Sequence, residues 1–315
     1  MLSRVANSIY WLNRYIERAE NVARFVDVNL HLILDLPHQT MAQWEPLVVV
    51  TGDIALFRER YGLPTQEQVI QFLTFDADYP NSIIACVEKA RENARSVREI
   101  ISSEMWQEVN SFYWMIQQTA QAGGEVDWNR FFQEVKLASH RFAGVMDATM
   151  SHNEAWHFGQ MGRFLERADK TARIVDVKYY VLLPSVQDVG TTLDEIQWMA
   201  LLKSASAYEM YRKRGRHVIT PWQVAEFLLL DREFPRSVLF CLRQVQASLT
   251  QITGTGANDG HIGVERQLGR LCAELEYITI EEIIQRGLHE FLDHLQVAFN
   301  QLDEAIFQTF FAVHV

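Results

Sequence analysis

A chain of 315 residues is long enough for two domains or one large one, and with 48% hydrophobic and 22% charged residues it can bury a core without staples. Three cysteines exclude a disulfide framework, and a net charge of −11 excludes general nucleic-acid binding unless the basic residues are segregated. The 15 glycines and 7 prolines make up about 7% of the chain against ~12% on average, which favours long helices over many short strands.

The N-terminus turns charged before any apolar stretch forms, so no signal peptide is expected. At 100° per residue, Ile9, Leu12, Ile16, Ala19, Ala23, Val26 and Leu30 share one helical face, which reads as core. Nearly opposite runs a second stripe of Tyr10, Arg14, Glu17, Asn21, Arg24 and Val28, with Arg18 to one side and Glu20 four residues before Arg24. After a loop at 37–40, the run Leu47–Val50 reads as a helix with Pro46 near its start, where a missing N–H costs nothing. Loops follow at 61–65 and 76–80. The stretch 81–110 then carries one helical apolar face of Ile83, Val87, Ala90, Ala94, Val97, Ile101 and Met105, flanked by Arg91, Arg95 and Arg98. Further loops are expected at 122–126, 183–192, 214–221, 231–235 and 253–263, with about a dozen helices in all and no period-2 strand pattern. The apolar runs PLVVV and FLLL fall far short of the ~20 residues that span a bilayer. The expectation is a cytoplasmic protein that contacts neither membrane nor nucleic acid.

The chain repeats itself. Residues 15–28, YIERAENVARFVDV, match 164–177, FLERADKTARIVDV, at eight of fourteen positions. Residues 72–87, FLTFDADYPNSIIACV, match 227–242, FLLLDREFPRSVLFCL, at six of sixteen. A third pair is Gln43-Trp44 and Gln197-Trp198, and the offsets are 149, 155 and 154 residues. The reading is an all-α protein of two tandem-duplicated helical-bundle halves, 1–150 and 151–315, packed as one body. The core face of the second copy is then Phe158, Met161, Leu165, Ala168, Ala172, Val175 and Tyr179, and its polar stripe carries Arg163, Glu166, Lys170 and Arg173, with Arg167 to one side.

Glu and Arg thus recur at the same places in both copies, and three readings fit. A solvated face stitched by surface ion pairs is one, although each pair contributes only ~0.2–0.5 kcal/mol. A buried network that fixes how the halves dock is the second. A ligand site for a carboxylate or phosphate is the third, since arginine forks match those groups; there Glu17 or Glu166 would serve as a base. The stripe Arg91/Arg95/Arg98 wants an anionic neighbour, either Glu88, Glu92 or another helix, or a ligand. Its second-copy counterparts are Gln246, Thr250 and Thr253, while Arg236 has Asn81 as its counterpart, so a ligand site is expected to be single and asymmetric. No metal site is expected: Glu154-x-x-His157 has no second copy. Cys86 and Cys241 read as core thiols, and TGTGANDGHIG (253–263) as a loop without the Lys-Ser/Thr of a phosphate-binding loop.

LSRVANSIYWLNRYIERAENVAR, ARENARSVREIISSEMWQEVN, WHFGQMGRFLERADKTAR and PRSV, in this order, resemble the bacterial alpha-E domain family over nearly the whole chain. The resemblance marks Glu17, Arg18, Arg24, Glu166, Arg167 and Arg173 as the signature, and Arg91, Asn93, Arg95 and Arg98 as a second motif. With Arg236, these are the expected ligand-binding residues, and none is assigned a catalytic role. The resemblance also implies a genomic setting beside a circularly permuted ATP-grasp protein, often with a transglutaminase-like cysteine peptidase and a proteasome-related peptidase. The implied role is a component of a pathway that makes or modifies peptide (amide) bonds at the expense of ATP. The nucleotide chemistry would belong to the partner, so no cofactor is expected here. The chain would bind an anionic small molecule or peptide at its Glu/Arg cluster. The alternative is a non-catalytic helical scaffold docked on the ATP-grasp partner.

Overall fold

The computed structural model describes residues 1–34, 44–122, 126–180, 192–215, 218–254 and 262–312. Among these, every regular element is helical. In chain order they are α1 (Ser3–Leu34), α2 (Glu45–Val49), α3 (Ile54–Tyr61), α4 (Gln66–Thr74), α5 (Ile83–Ser96), α6 (Ser103–Gln121) and α7 (Trp128–Thr149). Then follow α8 (Glu154–Tyr180), α9 (Thr192–Ser204), α10 (Tyr208–Lys213), α11 (Pro221–Leu230), α12 (Val238–Thr253), α13 (Ile262–Tyr277), α14 (Ile280–Arg286) and α15 (Leu288–Ile306), which ends in a π-helical turn at Phe307–Phe311. No described helix is long and apolar enough to cross a membrane.

The two longest helices, α1 and α8, form the central pair. Around α1 pack α5 and α7; around α8 pack α12 and α15. The expected core faces are buried, from Ile9 to Val26 on α1 and from Phe158 to Val175 on α8. On the opposite faces Tyr10, Arg14, Glu17, Asn21, Arg24 and Glu166 are buried, while Arg163, Lys170 and Arg173 are half-buried. A stripe so enclosed meets little solvent, so its charges must find partners inside the protein. Close approach of the pair is set by glycines in α8. A Cβ at Gly162 would run into the backbone carbonyl of Tyr10, and one at Gly159 would lie 2.7 Å from Nδ2 of Asn13.

The same local construction appears on both flanks. Ser82 and Ser237 cap α5 and α12, accepting from the amides of Ala85 (3.2 Å) and Phe240 (3.1 Å). Each serine hydroxyl also donates to the carbonyl six residues back, Asp76 or Asp231. Arg60 pairs with Asp76 at 2.9 Å and Arg214 with Asp231 at 2.6 Å. Tyr79 stacks on Phe72 and Phe234 on Phe227.

Several boundaries differ from expectation. The expected loops at 61–65, 76–80 and 231–235 fall between helices, with Tyr61 closing α3, and the described part of 214–221 runs up to Pro221 at the start of α11, whereas 37–40, 216–217 and most of 122–126, 183–192 and 253–263 lie outside the described residues. The stretch 81–110 is not one helix. It ends at Ser96, turns, and restarts after Ser102, whose hydroxyl accepts from the amide of Met105 at 3.1 Å. The apolar face continues across the break, from Ala94 through Val97 and Ile101 to Met105, so apolar periodicity alone conceals it. Local capping by a serine hydroxyl outcompetes the continuous helix.

Candidate functional site

The Glu-Arg dipeptides meet where α1 and α8 cross. Arg18 donates from Nε to Oε1 of Glu166 at 2.6 Å and from Nη2 to Oε2 at 2.9 Å. Arg167 donates in the same forked manner to Glu17, at 2.8 and 2.7 Å. Each motif therefore supplies the carboxylate for the other's guanidinium. Arg14 adds a bond to Glu166 at 2.9 Å, and Arg163 lies 3.8 Å from Glu17. One turn further along each helix, Arg24 bonds Glu20 at 2.6 and 2.9 Å and Arg173 bonds Asp169 at 3.0 Å.

Glu17 and Glu166 are 1% and 0% exposed, which overturns the surface reading. Burial pushes both carboxyl groups up, but the arginines prevail. Arg167 and Arg236, against the opposing charge of Glu20, bring Glu17 below its ordinary value. Arg18, Lys170 and Arg14 hold Glu166 well below its own. Glu20, buried beside Arg236, His140 and Arg24, is likewise well below, and buried Asp169 is brought down to about 2 by Lys170 and Arg173. Carboxylates committed to forked pairs and held ionised are poor proton acceptors at neutral pH, which argues for the docking network over the general base.

The two flanks balance their charge differently. On the Glu17 side the further cation comes from the corner before α12. Arg236 donates to Glu17 at 3.2 Å, to Asn21 at 3.2 Å and to Glu20. Burial lowers its guanidinium to about 10, which leaves it charged at neutral pH. On the Glu166 side the equivalent corner holds Asn81, which accepts from Arg18 at 2.6 Å. There the cation comes from α8 itself: Lys170, at the position of Asn21, lies 2.9 Å from Asp169 and 3.5 Å from Glu166. The pair Asn21/Arg236 on one flank is thus exchanged for Lys170/Asn81 on the other. A compact ammonium fills less space than a guanidinium. On the Lys170 side a polar cavity of about 160 Å³ remains, bordered by Arg14, Arg18, Lys170, Arg173, Asn81 and Asp169, and closed by Phe299 and Asn300 of α15.

Of the expected ligand residues, Glu17, Arg18, Arg24, Glu166, Arg167, Arg173 and Arg236 are brought into this one network. The second motif is not part of it. Arg91 turns to α6, donating to Asn110 at 2.8 Å and lying over the Tyr113 ring at 4.6 Å. Arg98, outside the helix, lies over Trp106 at 4.9 Å, and Arg95 pairs with Glu92 at 2.8 Å on the surface. The half-buried Asn93 presents its carbonyl to Ser96. The anionic neighbour expected for this stripe is Glu92 together with aromatic faces. Sequence reasoning missed Lys170 as Arg236's counterpart in role, although the exchange of Asn21 and Arg236 for Lys170 and Asn81 is visible once the similar segments are aligned. It also missed that Asp176, His289 and Asp293 bring one ligand atom each within 4.8 Å of one another, with His289 Nδ1 2.7 Å from Asp176. Glu154 of the discounted metal pair is exposed and takes the N-terminal amine at 3.0 Å.

Comparison with known proteins matches residues 1–311 to the family described as Alpha-E, a predicted alpha-helical domain with a conserved ER motif. Uncharacterized proteins of Mycobacterium tuberculosis (strain H37Rv) and Mycobacterium bovis are each 23% identical over 303 residues, covering 89% of this chain and 33% of the relative. The chain thus spans about a third of the length of the curated relatives it matches. No solved structure matches.

Proposed function

This chain belongs to the Alpha-E family, and from that premise we propose that it is a ligand-handling component of an amide-bond-forming or amide-modifying pathway driven by an ATP-grasp partner. In this reading the two Glu-Arg motifs fasten the halves together, and the cavity beside Glu166 receives the anionic group of the substrate or intermediate. The observation that carries it is the lining of that cavity: Arg14, Arg18, Lys170 and Arg173 against Asp169. Its volume of about 160 Å³ suits a carboxylate or phosphate head and little more. With Arg18 held by Glu166 and Asn81 and the Nε of Arg173 by Asp169, the donors turned to such a group are the Lys170 ammonium and the outer N–H groups of Arg14 and Arg173.

The same reading takes the chain as a tandem duplication of units 1–150 and 151–315. It is supported by the parallel packing of α5 on α1 and α12 on α8, and by the twin serine-capped corners. One unit then kept its cavity while Arg236 filled the other.

A scaffold docked on the ATP-grasp partner is the second reading. It is favoured by the commitment of Glu17 and Glu166 to internal pairs. The double variant Asn81→Arg/Lys170→Asn separates the two, because it moves the arrangement of the filled flank into the open one. The partner complex would be given ATP with amino acids or short peptides, and the condensed product followed by mass spectrometry. Ligand handling predicts product with the wild-type chain and none with the folded double variant. Undiminished product from that variant makes the chain a scaffold.

A further inference from the structure

A second and larger cavity, about 530 Å³, opens between α1, α7 and α9, and its lining is disjoint from that of the cavity beside Glu166. It lies within the ~300–1,000 Å³ range of small-molecule sites. Its polar lining is Arg24, Asp27, His31, Lys136, Lys203 and Ser206, with Asp27 bound to Lys136 at 2.7 Å. Arg24 is paired with Glu20 and Lys136 with Asp27, so the exposed Lys203 brings one cation beyond the pairs to a lining that holds a single carboxylate. The apolar part of the lining is Val28 of α1 and Ile196, Met199 and Ala200 of α9.

One residue of the lining is held in an uncommon conformation. Ser206 has φ of 50°, and it is the one non-glycine residue at positive φ among the described residues. Its equivalent in the first half, 154 positions earlier, is Gly52 at φ 82°, where the left-handed conformation carries no side-chain penalty. A serine at this turn accepts strain that a glycine avoids, and gains a hydroxyl. That hydroxyl accepts from Nη1 of Arg24. Arg24 is itself 5% exposed and is held from behind by Glu20 and beside His140. The serine thus fixes one edge of a nearly buried guanidinium that borders the cavity, and its own O–H remains to donate.

We propose that this cavity is a separate binding site for an organic anion with an apolar body. The anionic group sits against Arg24, Lys136 and Ser206, and the body lies along Met199 and Ile196. Lys203, exposed at the rim, draws the anion in. The site does not depend on the reading given above for the cavity beside Glu166, since the two share no lining residue.

The test is calorimetric titration of the full chain with benzyloxycarbonyl-leucine, its uncharged amide and phenyl phosphate. Saturable binding of the carboxylate and not of the amide is expected. Phenyl phosphate binding in place of the carboxylate keeps the site and makes its anion a phosphate. Ser206→Gly relieves the turn, so its melting temperature should equal or exceed wild type while binding weakens about tenfold, the loss of one charge-assisted contact. Met199→Glu on the apolar wall should abolish binding, and Lys170→Ala at the other cavity should leave it unchanged. Absence of binding by either anion, equal binding of the amide, or loss through Lys170→Ala with Ser206→Gly neutral would overturn the proposal.

Discussion

Glu17 accepts both prongs of the Arg167 guanidinium from 150 positions further along the chain, in a place where both side chains are buried. Arg18 and Glu166 repeat the arrangement with the roles reversed. Each Glu-Arg dipeptide is therefore read by the other. A buried pair of this kind contributes little net stability relative to apolar residues of the same shape, yet it is costly to leave half-made. It consequently fixes how α1 and α8 are registered against each other.

Acid should undo this register. Glu17, Glu20, Glu166 and Asp169 all sit below their ordinary pKa in the folded chain. A depressed carboxyl pKa gives stability that is present above the unfolded value, about 4, and is lost as pH falls through the folded value. Stability should therefore fall steeply from about pH 5 towards pH 2. Urea midpoints measured across this window check it; a flat profile would mean that the carboxylates are not held ionised by the fold.

Much of this is legible in the sequence. Helical periodicity marks the core faces of α1 and α8, and aligning residues 15–28 with 164–177 pairs the Glu and Arg positions. The break at Ser96–Ser102 was hidden because the apolar face runs across it uninterrupted. That took Arg98 out of the expected stripe. Burial of the polar stripe was not legible either. Whether a charged face meets water or another charged face depends on which helices flank it, and a single helix pattern carries no such information. The Asn21/Arg236 and Lys170/Asn81 exchange lay in the sequence, but only the ion pairs give it meaning.

That exchange predicts rescue. Lys170→Asn alone should cost about 1–3 kcal/mol by leaving Glu166 and Asp169 a cation short. Asn81→Arg alone should destabilise by adding a cation beside Arg18 and Arg173. The double variant should recover at least half of the summed loss in a urea-unfolding cycle, since the two changes reproduce the opposite flank. Additive losses would contradict the equivalence of the corners.

The close crossing of the central helices makes its own demand. Gly162→Ala forces a methyl against the Tyr10 carbonyl and should destabilise by about 1–3 kcal/mol. Gly144→Ala in α7 meets nothing within 4 Å. It should gain up to about 1 kcal/mol through helix propensity. Thermal melts of the two variants, run together, separate packing from propensity.

The most direct measurement is a double-mutant cycle on Glu17 and Arg167 by urea unfolding, with Glu17→Gln, Arg167→Met and the pair combined. Each single variant breaks the forked pair, leaving Arg167 without its carboxylate or Glu17 with Arg236 alone in hydrogen-bond reach, and should lose about 3–5 kcal/mol, with a coupling of about 1–3 kcal/mol recovered in the double. Singles that keep wild-type stability, with no coupling, would contradict the central claim that the Glu-Arg motifs hold α1 and α8 together.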